Sequence, residues 1–318
     1  MRITETAIPG LLIIDLDVHG DNRGWFKENW QREKFTGLAP ELASFQPVQN
    51  NISFNHAGAT RGLHAEPWDK LVSVAHGKIF GAWCDLREGS ESFGEVVTHE
   101  AGPETAVFVP RGVANGFQAL EETSYCYLVN EHWSAEARYA AVNLNIVDWP
   151  LEPTEISEKD KQHPALTDVS PMPARRILVT GANGQLGRAL KRLLADAEFC
   201  SHADFDITNP PERNWKQYSA IINCAAYNDV NGAENDRAAA WAVNAEAPAR
   251  LARIAAENQL TLVHVSSDYI FDGTNEVHTE EELPSPLSAY GASKAAGDTA
   301  AQTAPQHYVI RTSWVFGD

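Results

Sequence analysis

The stretch Arg176-Ile-Leu-Val-Thr-Gly181-Ala-Asn-Gly184-Gln-Leu-Gly187 decides the fold of the second half of this 318-residue chain. Its first five residues form the apolar run of a buried strand, and a helical pattern follows the last glycine. In this context the first glycine permits a tight turn, the second lets a pyrophosphate approach the backbone, and the third allows close packing of helix on strand. The stretch therefore predicts a dinucleotide site; a glycine-rich turn without a ligand is the alternative.

Strand-like runs and helical patterns alternate beyond this stretch. In chain order they fall at 220–225, 237–258, 260–266, 291–301 and 307–312. Strands that alternate with helices form parallel sheets. Residues 176–318 are therefore predicted to form an α/β domain of the Rossmann type, with a doubly wound parallel sheet.

The first half of the chain has a different pattern. Short apolar runs such as 70–75 and 105–109 are separated by turn residues, and helical periodicity is nearly absent. Residues 1–163 are therefore predicted to form an all-β sandwich of the cupin or jelly-roll type. Three prolines within residues 164–175 disfavour a helix and predict an extended linker between the two domains.

The composition excludes several classes of partner. The chain carries 25 Lys and Arg against 43 Asp and Glu, a net charge of −18, whereas general binding to nucleic acid or to an anionic membrane needs a basic surface. The sequence has no apolar run near the ~20 residues that span a bilayer, and its N-terminus has no signal-peptide core. Four widely spaced cysteines predict reduced thiols. We therefore expect a cytoplasmic protein.

Tyr290 and Lys294 lie four residues apart in a predicted helix, so both face the same side. A Tyr hydroxyl is a poor acid–base catalyst at neutral pH, and a nearby ammonium group stabilises its phenolate. The hydroxyl of Ser267 stands at the end of the preceding strand. Together with the glycine-rich turn, this combination resembles the short-chain dehydrogenase/reductase superfamily, in its extended branch that acts on nucleotide sugars.

Further segments narrow this resemblance to dTDP-4-dehydrorhamnose reductase. They are 177–187, 225–227, 243–245, 264–273 and 311–317. The resemblance implies that Tyr290 protonates the C4 oxygen as hydride arrives, that Lys294 tunes Tyr290, and that Ser267 positions the carbonyl. The related sugar dehydratases carry an Asp-Glu pair where this chain has Asp268 and Tyr269, so elimination chemistry is disfavoured.

The same resemblance implies the residues that contact sugar and cofactor. The sugar site is expected to be lined by Asp268, Tyr269 and Trp314. The cofactor is expected to contact Gly181, Asn183, Gly184, Gln185, Leu186, Gly187, Asp206, Ile207, Ala225, Ala226, Tyr227 and Asn244. Residues 199–203 offer no carboxylate to a free ribose 2′-hydroxyl, which favours NADPH and leaves NADH open.

Several segments of the first half resemble dTDP-4-dehydrorhamnose 3,5-epimerase, and together they cover nearly all of residues 1–163. They are 20–28, 48–51, 61–64, 85–87, 93–94, 109–112 and 156–160. Protons at C3 and C5 of a 4-keto sugar are acidic only if the enolate is stabilised, and imidazole is the natural base near neutral pH. The resemblance implies His64 as base, Asp160 as its partner, Lys70 as enolate stabiliser and Tyr127 as the acid that reprotonates the opposite face.

The nucleotide contacts in this half also come from the resemblance. Arg23 and Arg61 are expected to hold the diphosphate. Further contacts with the substrate are expected from Phe26, Glu28, Gln49, Asn51 and Trp133. Three residues depart from the family pattern, which usually has Tyr where Trp133 stands, His at Asn115 and Gln at Glu66. A metal-binding sandwich would need ligands at the last two positions, so no metal is expected.

The sequence thus predicts a bifunctional enzyme of dTDP-L-rhamnose synthesis, which epimerises dTDP-4-dehydro-6-deoxyglucose and then reduces C4 with NADPH. An epimerase–reductase for another nucleotide deoxysugar, or a catalytically silent nucleotide-binding scaffold, are the alternatives. The family resemblance implies a homodimer through the sandwich. Five candidate strands follow Arg176, whereas a full dinucleotide fold has about six. We expect a longer natural protein, and expect this chain to be an active epimerase but a weak reductase.

Overall fold

The computed structural model describes residues 1–135 and 137–316, which divide into two compact units, Met1–Ala174 and Arg175–Asp318. The first unit is rich in antiparallel strands, and the second contains a parallel sheet with helices. The predictions of a β-rich first domain and of a parallel sheet in the second are therefore confirmed.

The first unit is built almost entirely from strands. They are β1 (Arg2–Glu5), β2 (Leu12–Asp15), β3 (Val18–Asp21), β4 (Gly24–Lys27), β5 (Gln49–Asn55), β6 (Thr60–Ala65), β7 (Lys70–His76), β8 (Ile79–Asp85), β9 (Val96–Ala101), β10 (Thr105–Val109), β11 (Val113–Ala119), β12 (Thr123–Val129) and β13 (Ala140–Ala141). The short helices are α1 (Arg32–Thr36), α2 (Pro40–Ala43) and α3 (Glu158–Lys161), with single 3₁₀ turns at Leu144–Ile146 and Leu166–Asp168.

Two antiparallel sheets enclose the main core of this unit. One has the order β1-β2-β10-β7-β12-β5 and the other β13-β6-β11-β8-β9, while β3 and β4 form a separate hairpin. Val72 and Val107 of the first sheet pack with Trp83, Val113 and Phe117 of the second. Burial of these apolar faces supplies the main stabilisation of the unit, and it fixes which side chains of β6, β7, β11 and β12 face inward.

Residues 164–174 belong to the first unit, which corrects the predicted linker. Met172 is fully buried, its backbone N–H donates to the Leu86 carbonyl at 2.7 Å, and its carbonyl accepts from the Glu88 N–H at 2.8 Å. The Pro173 carbonyl accepts from Arg111. After the 3₁₀ turn at Leu166–Asp168 the segment is extended, and an extended segment can pair with another part of the same chain, as this one does.

The second unit alternates strands and helices. The strands are β14 (Arg176–Thr180), β15 (Glu198–Cys200), β16 (Tyr218–Asn223), β17 (Thr261–Val265) and β18 (His307–Ile310). The helices are α4 (Gln185–Leu190), α5 (Val230–Asn235), α6 (Arg237–Trp241), α7 (Ala247–Asn258) and α8 (Ala289–Ala301), with a π-helical turn at Ala242–Glu246 and 3₁₀ turns at Trp215–Gln217 and Asp268–Ile270.

The strand order of the second unit creates a crevice. All neighbours pair in parallel in the order β15-β14-β16-β17-β18. The chain therefore moves outward from β14 to β15 and then returns across β14 to β16. Ligands of open parallel sheets bind at the carboxyl ends of the strands where the order reverses. Here that point lies between Thr180 and Asn223.

Asp85, at the end of β8, contributes to the pH-dependent stability of the first unit. The residue is fully buried, and burial alone would raise its pKa; hydrogen bonds from Arg87, Ser92 and Ser90 outweigh burial and lower the pKa to about 2. Because the folded-state pKa lies below the unfolded value of about 3.9, this stabilisation is complete above about pH 4 and is lost as the pH falls towards 2.

We therefore expect Asp85→Asn to destabilise the first unit at pH 7 by about 3 kcal/mol, and to destabilise it less as the solution is acidified. Urea unfolding followed by tryptophan fluorescence at pH 7 and pH 3 measures both effects. Asp148 is exposed and serves as the control, since Asp148→Asn should change little at either pH. An equal loss for Asp85→Asn at both pH values would contradict the assignment.

Candidate active sites in the two units

A cavity of about 520 Å³ opens on the first unit and collects most of its predicted catalytic residues. Side chains from β6, β7, β11, β12 and the segment that begins α3 line it. They include Arg61, His64, Glu66, Lys70, Asn115, Tyr125, Tyr127, Ser157 and Asp160. Strand pairing places these residues, which are up to 99 positions apart in the sequence, around one space.

His64 and Asp160 form a hydrogen-bonded pair at this cavity. Nε2 of His64 lies 2.8 Å from Oδ1 of Asp160, and the backbone N–H of Gly62 donates to Oδ2 at 3.2 Å. Ser157 caps the N-terminus of α3, where its hydroxyl accepts from the Asp160 N–H. Burial would raise the pKa of Asp160, but these hydrogen bonds and the His64 charge lower it to about 2. The carboxylate therefore holds the Nε2 proton and leaves Nδ1 of His64 as the basic nitrogen.

Lys70 and Tyr127 lie together on the neighbouring strands β7 and β12. Nζ of Lys70 is 5.2 Å from the Tyr127 ring centroid and 2.5 Å from Oε2 of Glu66. Burial, together with the negative charge of Glu66, raises the pKa of the Tyr127 hydroxyl. Tyr127 is therefore protonated at neutral pH and can act as a proton donor.

Two of the three departures from the family pattern, Glu66 and Asn115, have structural roles in this cavity. Glu66, in the position usually taken by Gln, is the ion-pair partner of Lys70. Asn115, in the position usually taken by His, accepts from Nε1 of Trp83 at 2.9 Å and hydrogen-bonds with the Tyr125 hydroxyl. Because both side chains already have these partners, neither is free to serve as a metal ligand of the cupin type.

The predicted nucleotide contacts divide into two groups. Arg61 lines the cavity, where its Nε donates to Asn55 at 2.7 Å. Arg23, Phe26 and Glu28 are not brought to this cavity in the single chain. Arg23 is about nine-tenths exposed on the β3–β4 hairpin and pairs with Asp21.

The other predicted contacts also lie outside the cavity lining. Phe26 is exposed, and Glu28 pairs with Lys34. Gln49 donates to Asn51 at 2.9 Å and accepts from the Trp133 N–H. Sequence spacing could not predict these positions, because they depend on where the hairpin and the edge strand β5 lie relative to the sandwich.

His163 was missed by the sequence analysis although it adjoins the catalytic pair. Its ring packs edge-on against His64 with centroids 5.0 Å apart, and its Nε2 lies 3.8 Å from Oδ1 of Asp160. Burial and the His64 charge lower its pKa. Its position three residues after Asp160, at the end of a short helical turn, is the signal that could have identified it.

The glycine-rich turn of the second unit leaves no room for larger residues. Gly181 has φ +72°, and a Cβ there would lie 2.7 Å from the Ala225 nitrogen. A Cβ on Gly187 would lie 2.4 Å from the Gly181 carbonyl oxygen. The loops after β14 and β16 are thus in close contact at the point where the strand order reverses, and the N-terminus of α4 begins there.

The predicted reductase residues surround a second cavity, of about 420 Å³, at this end of the sheet. It is lined by Gly184, Gln185, Leu186, Ala226, Ser267, Asp268, Tyr269, Tyr290, Lys294 and Trp314, among others. The cavity therefore joins the glycine-rich turn to the Tyr-Lys helix, as both motifs predict.

Tyr290 and Lys294 are buried one turn apart on α8. Burial lowers the pKa of Lys294 to about 8, while its Nζ donates to the Val265 carbonyl at 2.7 Å. Burial raises the pKa of Tyr290, and a hydrogen bond with Ser267 opposes that rise. The three side chains therefore lie in a region with little water. A nearby charge changes the pKa of a titratable group more strongly there than at the surface.

The remaining predicted cofactor residues have mixed positions. Asn244 is buried and its side chain bonds the backbone N–H and carbonyl of Tyr227, so it holds the loop after β16 in place. Ile207 lies in the hydrophobic core, and Asp206 accepts from Thr208. Only the backbone of Ile207 can therefore face a ligand.

In the part of the chain that the structure describes, no helix has the length and apolar character needed to cross a membrane.

The two cavities define an acid–base site for carbonyl-directed proton transfer and a nucleotide-type site with a Ser-Tyr-Lys group. The family model of dTDP-4-dehydrorhamnose 3,5-epimerase matches residues 5–168, and the chain belongs to this family. The model of the RmlD substrate binding domain matches residues 175–318. The two resemblances found in the sequence, and the fusion that they imply, are therefore confirmed.

Individual relatives agree with this division. An RmlC homolog of Streptococcus pyogenes is 52% identical and covers 52% of this chain and 89% of its own length. The solved structure of RmlC from Streptococcus suis, in complex with dTDP-D-xylose, is 48% identical with a TM-score of 0.51, and the match covers 54% of this chain and 94% of that one. The dTDP-4-dehydrorhamnose reductase of Mycobacterium tuberculosis is 40% identical over 45% of this chain and 51% of its own length. The chain thus spans about half the length of that reductase.

Proposed function

We propose that the chain catalyses two consecutive steps of dTDP-L-rhamnose synthesis, epimerisation of dTDP-4-dehydro-6-deoxyglucose at C3 and C5 and NADPH-dependent reduction of C4. The observation that carries the epimerase assignment is the 2.8 Å pair between His64 and Asp160, set opposite Lys70 and Tyr127 in one cavity. A silent scaffold is not favoured, because such a scaffold has no need of a paired base and a protonated tyrosine in one cavity. The choice of sugar rests on the family, since an epimerase for another deoxysugar would use the same groups.

In the proposed epimerisation, Nδ1 of His64 removes the proton from a carbon next to the C4 carbonyl. The Asp160 carboxylate stabilises the imidazolium that forms. The ammonium group of Lys70 stabilises the enolate oxygen, with Glu66 holding that group in place. Tyr127 then donates its proton to the opposite face of the carbon, which inverts the centre.

In the proposed reduction, Ser267 and Tyr290 hold the C4 carbonyl, and Tyr290 supplies the proton to its oxygen. The cofactor, when bound, supplies the hydride. The contact between the loops after β14 and β16 leaves backbone N–H groups at the start of α4 to receive its pyrophosphate. NADPH is preferred to NADH because Ser201 and His202, which follow β15, offer no carboxylate to the ribose. In this proposal the parallel sheet is of the Rossmann type, and the sandwich is cupin-like without a metal cofactor.

We further propose a homodimer through the first unit. Ile52 and Phe54 project from the edge strand β5 and are more than half exposed, and Trp25 and Phe26 are exposed on the hairpin. Exposed edge strands with apolar side chains are normally covered by a partner. In such a dimer, Arg23 and Glu28 on the hairpin of one copy would lie next to the nucleotide bound by the other copy. The molar mass in solution tests this proposal.

The substitution Tyr127→Phe tests the epimerase proposal. Removing the hydroxyl takes away the acid but leaves the base, so we expect net epimerisation to fall by about 10²-fold or more while proton removal is retained. Proton NMR of the sugar product and deuterium uptake from D₂O measure the two steps separately. Tyr139→Phe is the control, because the Tyr139 hydroxyl donates to the Ser134 carbonyl and the residue is not part of the cavity lining. Equal losses of epimerisation and uptake would show that Tyr127 has a different role.

A further inference from the structure

His64, Asp160 and His163 bring three metal-ligand atoms together, and each lies within 4.8 Å of the others. Oδ1 of Asp160 is the central atom, 2.8 Å from Nε2 of His64 and 3.8 Å from Nε2 of His163. In a tetrahedral zinc site the ligand atoms are roughly 3.3 Å apart, given bond lengths of about 2.0 Å. These two distances lie on either side of this value, and the ligand atoms of His64 and His163 lie within 4.8 Å of each other, so small movements of the two rings would bring all three atoms to one ion.

The state of His163 favours a metal over simple packing. The side chain is more than nine-tenths buried, and its Nδ1 has no hydrogen-bond partner among the described residues. Nε2 is beyond hydrogen-bond distance of Asp160. The ring therefore lies in a buried position beside the ligand atoms of His64 and Asp160, where an imidazole nitrogen can donate its lone pair to a metal.

The charges around the three residues permit a divalent cation. Glu155 lines the same cavity and adds negative charge, and the charge of Lys70 is balanced by Glu66. Arg61 and Lys159 line the cavity and oppose a cation there. The fourth ligand position would face the cavity, where water can occupy it. The set of ligands, two imidazoles and one carboxylate, is a common one for zinc.

We infer that His64, Asp160 and His163 form an inhibitory binding site for Zn²⁺ or a similar divalent cation at the epimerase cavity. The inhibitory effect rests on the proposed function, whereas binding does not. Nε2 of His64 bonds to the metal in place of its proton, so the single proton of the neutral ring is carried on Nδ1. Nδ1 then has no lone pair, and the base is blocked. The cation acts as an inhibitor here, and catalysis does not require it.

Direct binding is the first test and needs no catalytic activity. Equilibrium dialysis of the whole chain with Zn²⁺ should show one site in the micromolar range or tighter, and Co²⁺ should give the intense visible absorption of a low-coordinate site. His163→Leu should weaken binding at least about tenfold, because one of three protein ligands is lost. Circular dichroism confirms that this variant folds.

The matched control is His132→Ala, because His132 is exposed and lies outside the cluster. That variant should keep the full affinity. If His163→Leu binds Zn²⁺ and Co²⁺ as the unaltered chain does, binding occurs at exposed histidines only and the inference is overturned. His163→Gln provides a second, polar replacement with the same expected loss of binding.

Inhibition is the second test. Deuterium exchange into the sugar should fall when Zn²⁺ saturates the site and should return after EDTA. In His163→Leu, the ratio of exchange with Zn²⁺ to exchange without it should lie close to one at the same concentration. Zinc that binds without lowering exchange would overturn the inhibitory role. If the unaltered chain exchanges no deuterium even in EDTA, the proposed function fails, while the binding result stands by itself.

Discussion

Replacing His64 with Asn is expected to lower deuterium exchange at C3 and C5 of the keto-sugar by about 10³-fold or more. Asn is close to His in size and can donate to Asp160, but it has no lone pair of suitable basicity. Exchange at both carbons should fall together, because one base serves both. Mass spectrometry of the recovered sugar after incubation in D₂O measures the effect.

The control for this substitution is His76→Asn, since His76 is exposed at the end of β7 and lies outside the cavity lining. NADPH binding by the second unit should be unchanged in both variants, because the two sites belong to separate compact units. Exchange at the rate of the unaltered chain in His64→Asn would show that another group is the base.

The second large effect is expected at the glycine-rich turn. Gly181→Ala places a Cβ 2.7 Å from the Ala225 nitrogen and 2.8 Å from the Cys224 carbonyl carbon, at a backbone φ of +72°. The left-handed conformation alone costs roughly 1–2 kcal/mol for a residue with a Cβ, and the contact forces the two loops apart. We expect the affinity for NADPH to fall about 100-fold, measured by titrating the cofactor's fluorescence.

Gly273→Ala is a closely matched control. Gly273 also has φ +72°, but no atom lies within 4 Å of its Cβ position. Both substitutions therefore place a Cβ at the same positive φ. Only Gly181→Ala adds a steric clash, with the backbone of Cys224 and Ala225. An equal loss of NADPH affinity in the two variants would mean that general destabilisation is responsible. Unchanged affinity for NADPH in both variants would show that the glycine-rich turn is not part of the cofactor site.

The sequence predicted the sheet types because they depend on local periodicity. Short apolar runs such as 70–75, bounded by turn residues, indicated a sandwich, whereas an apolar run such as 176–180 followed by a helical pattern indicated a parallel sheet. Pairing was harder to predict. The segment 164–174 has no apolar pattern that shows where it lies, and its pairing with residues 86–88 depends on backbone hydrogen bonds. Its assignment as a free linker failed for this reason.

The candidate sites were predictable to different degrees. Tyr290 and Lys294 are one helical turn apart, so their spacing alone places them on one face. His64 and Asp160 are 96 residues apart, and only the family resemblance linked them. His163 carries no motif, and its contact with His64 appears only when α3 packs near β6.

The most direct test of the two-step account is one incubation of the chain with dTDP-4-dehydro-6-deoxyglucose in D₂O, with and without NADPH. Without NADPH, we expect two deuterium atoms per sugar, at C3 and C5, and no reduction. With NADPH, we expect the same two deuterium atoms and, in a fraction of the product, two mass units more from hydride addition at C4 and proton addition at its oxygen. Sugar that takes up no deuterium under either condition would contradict the account.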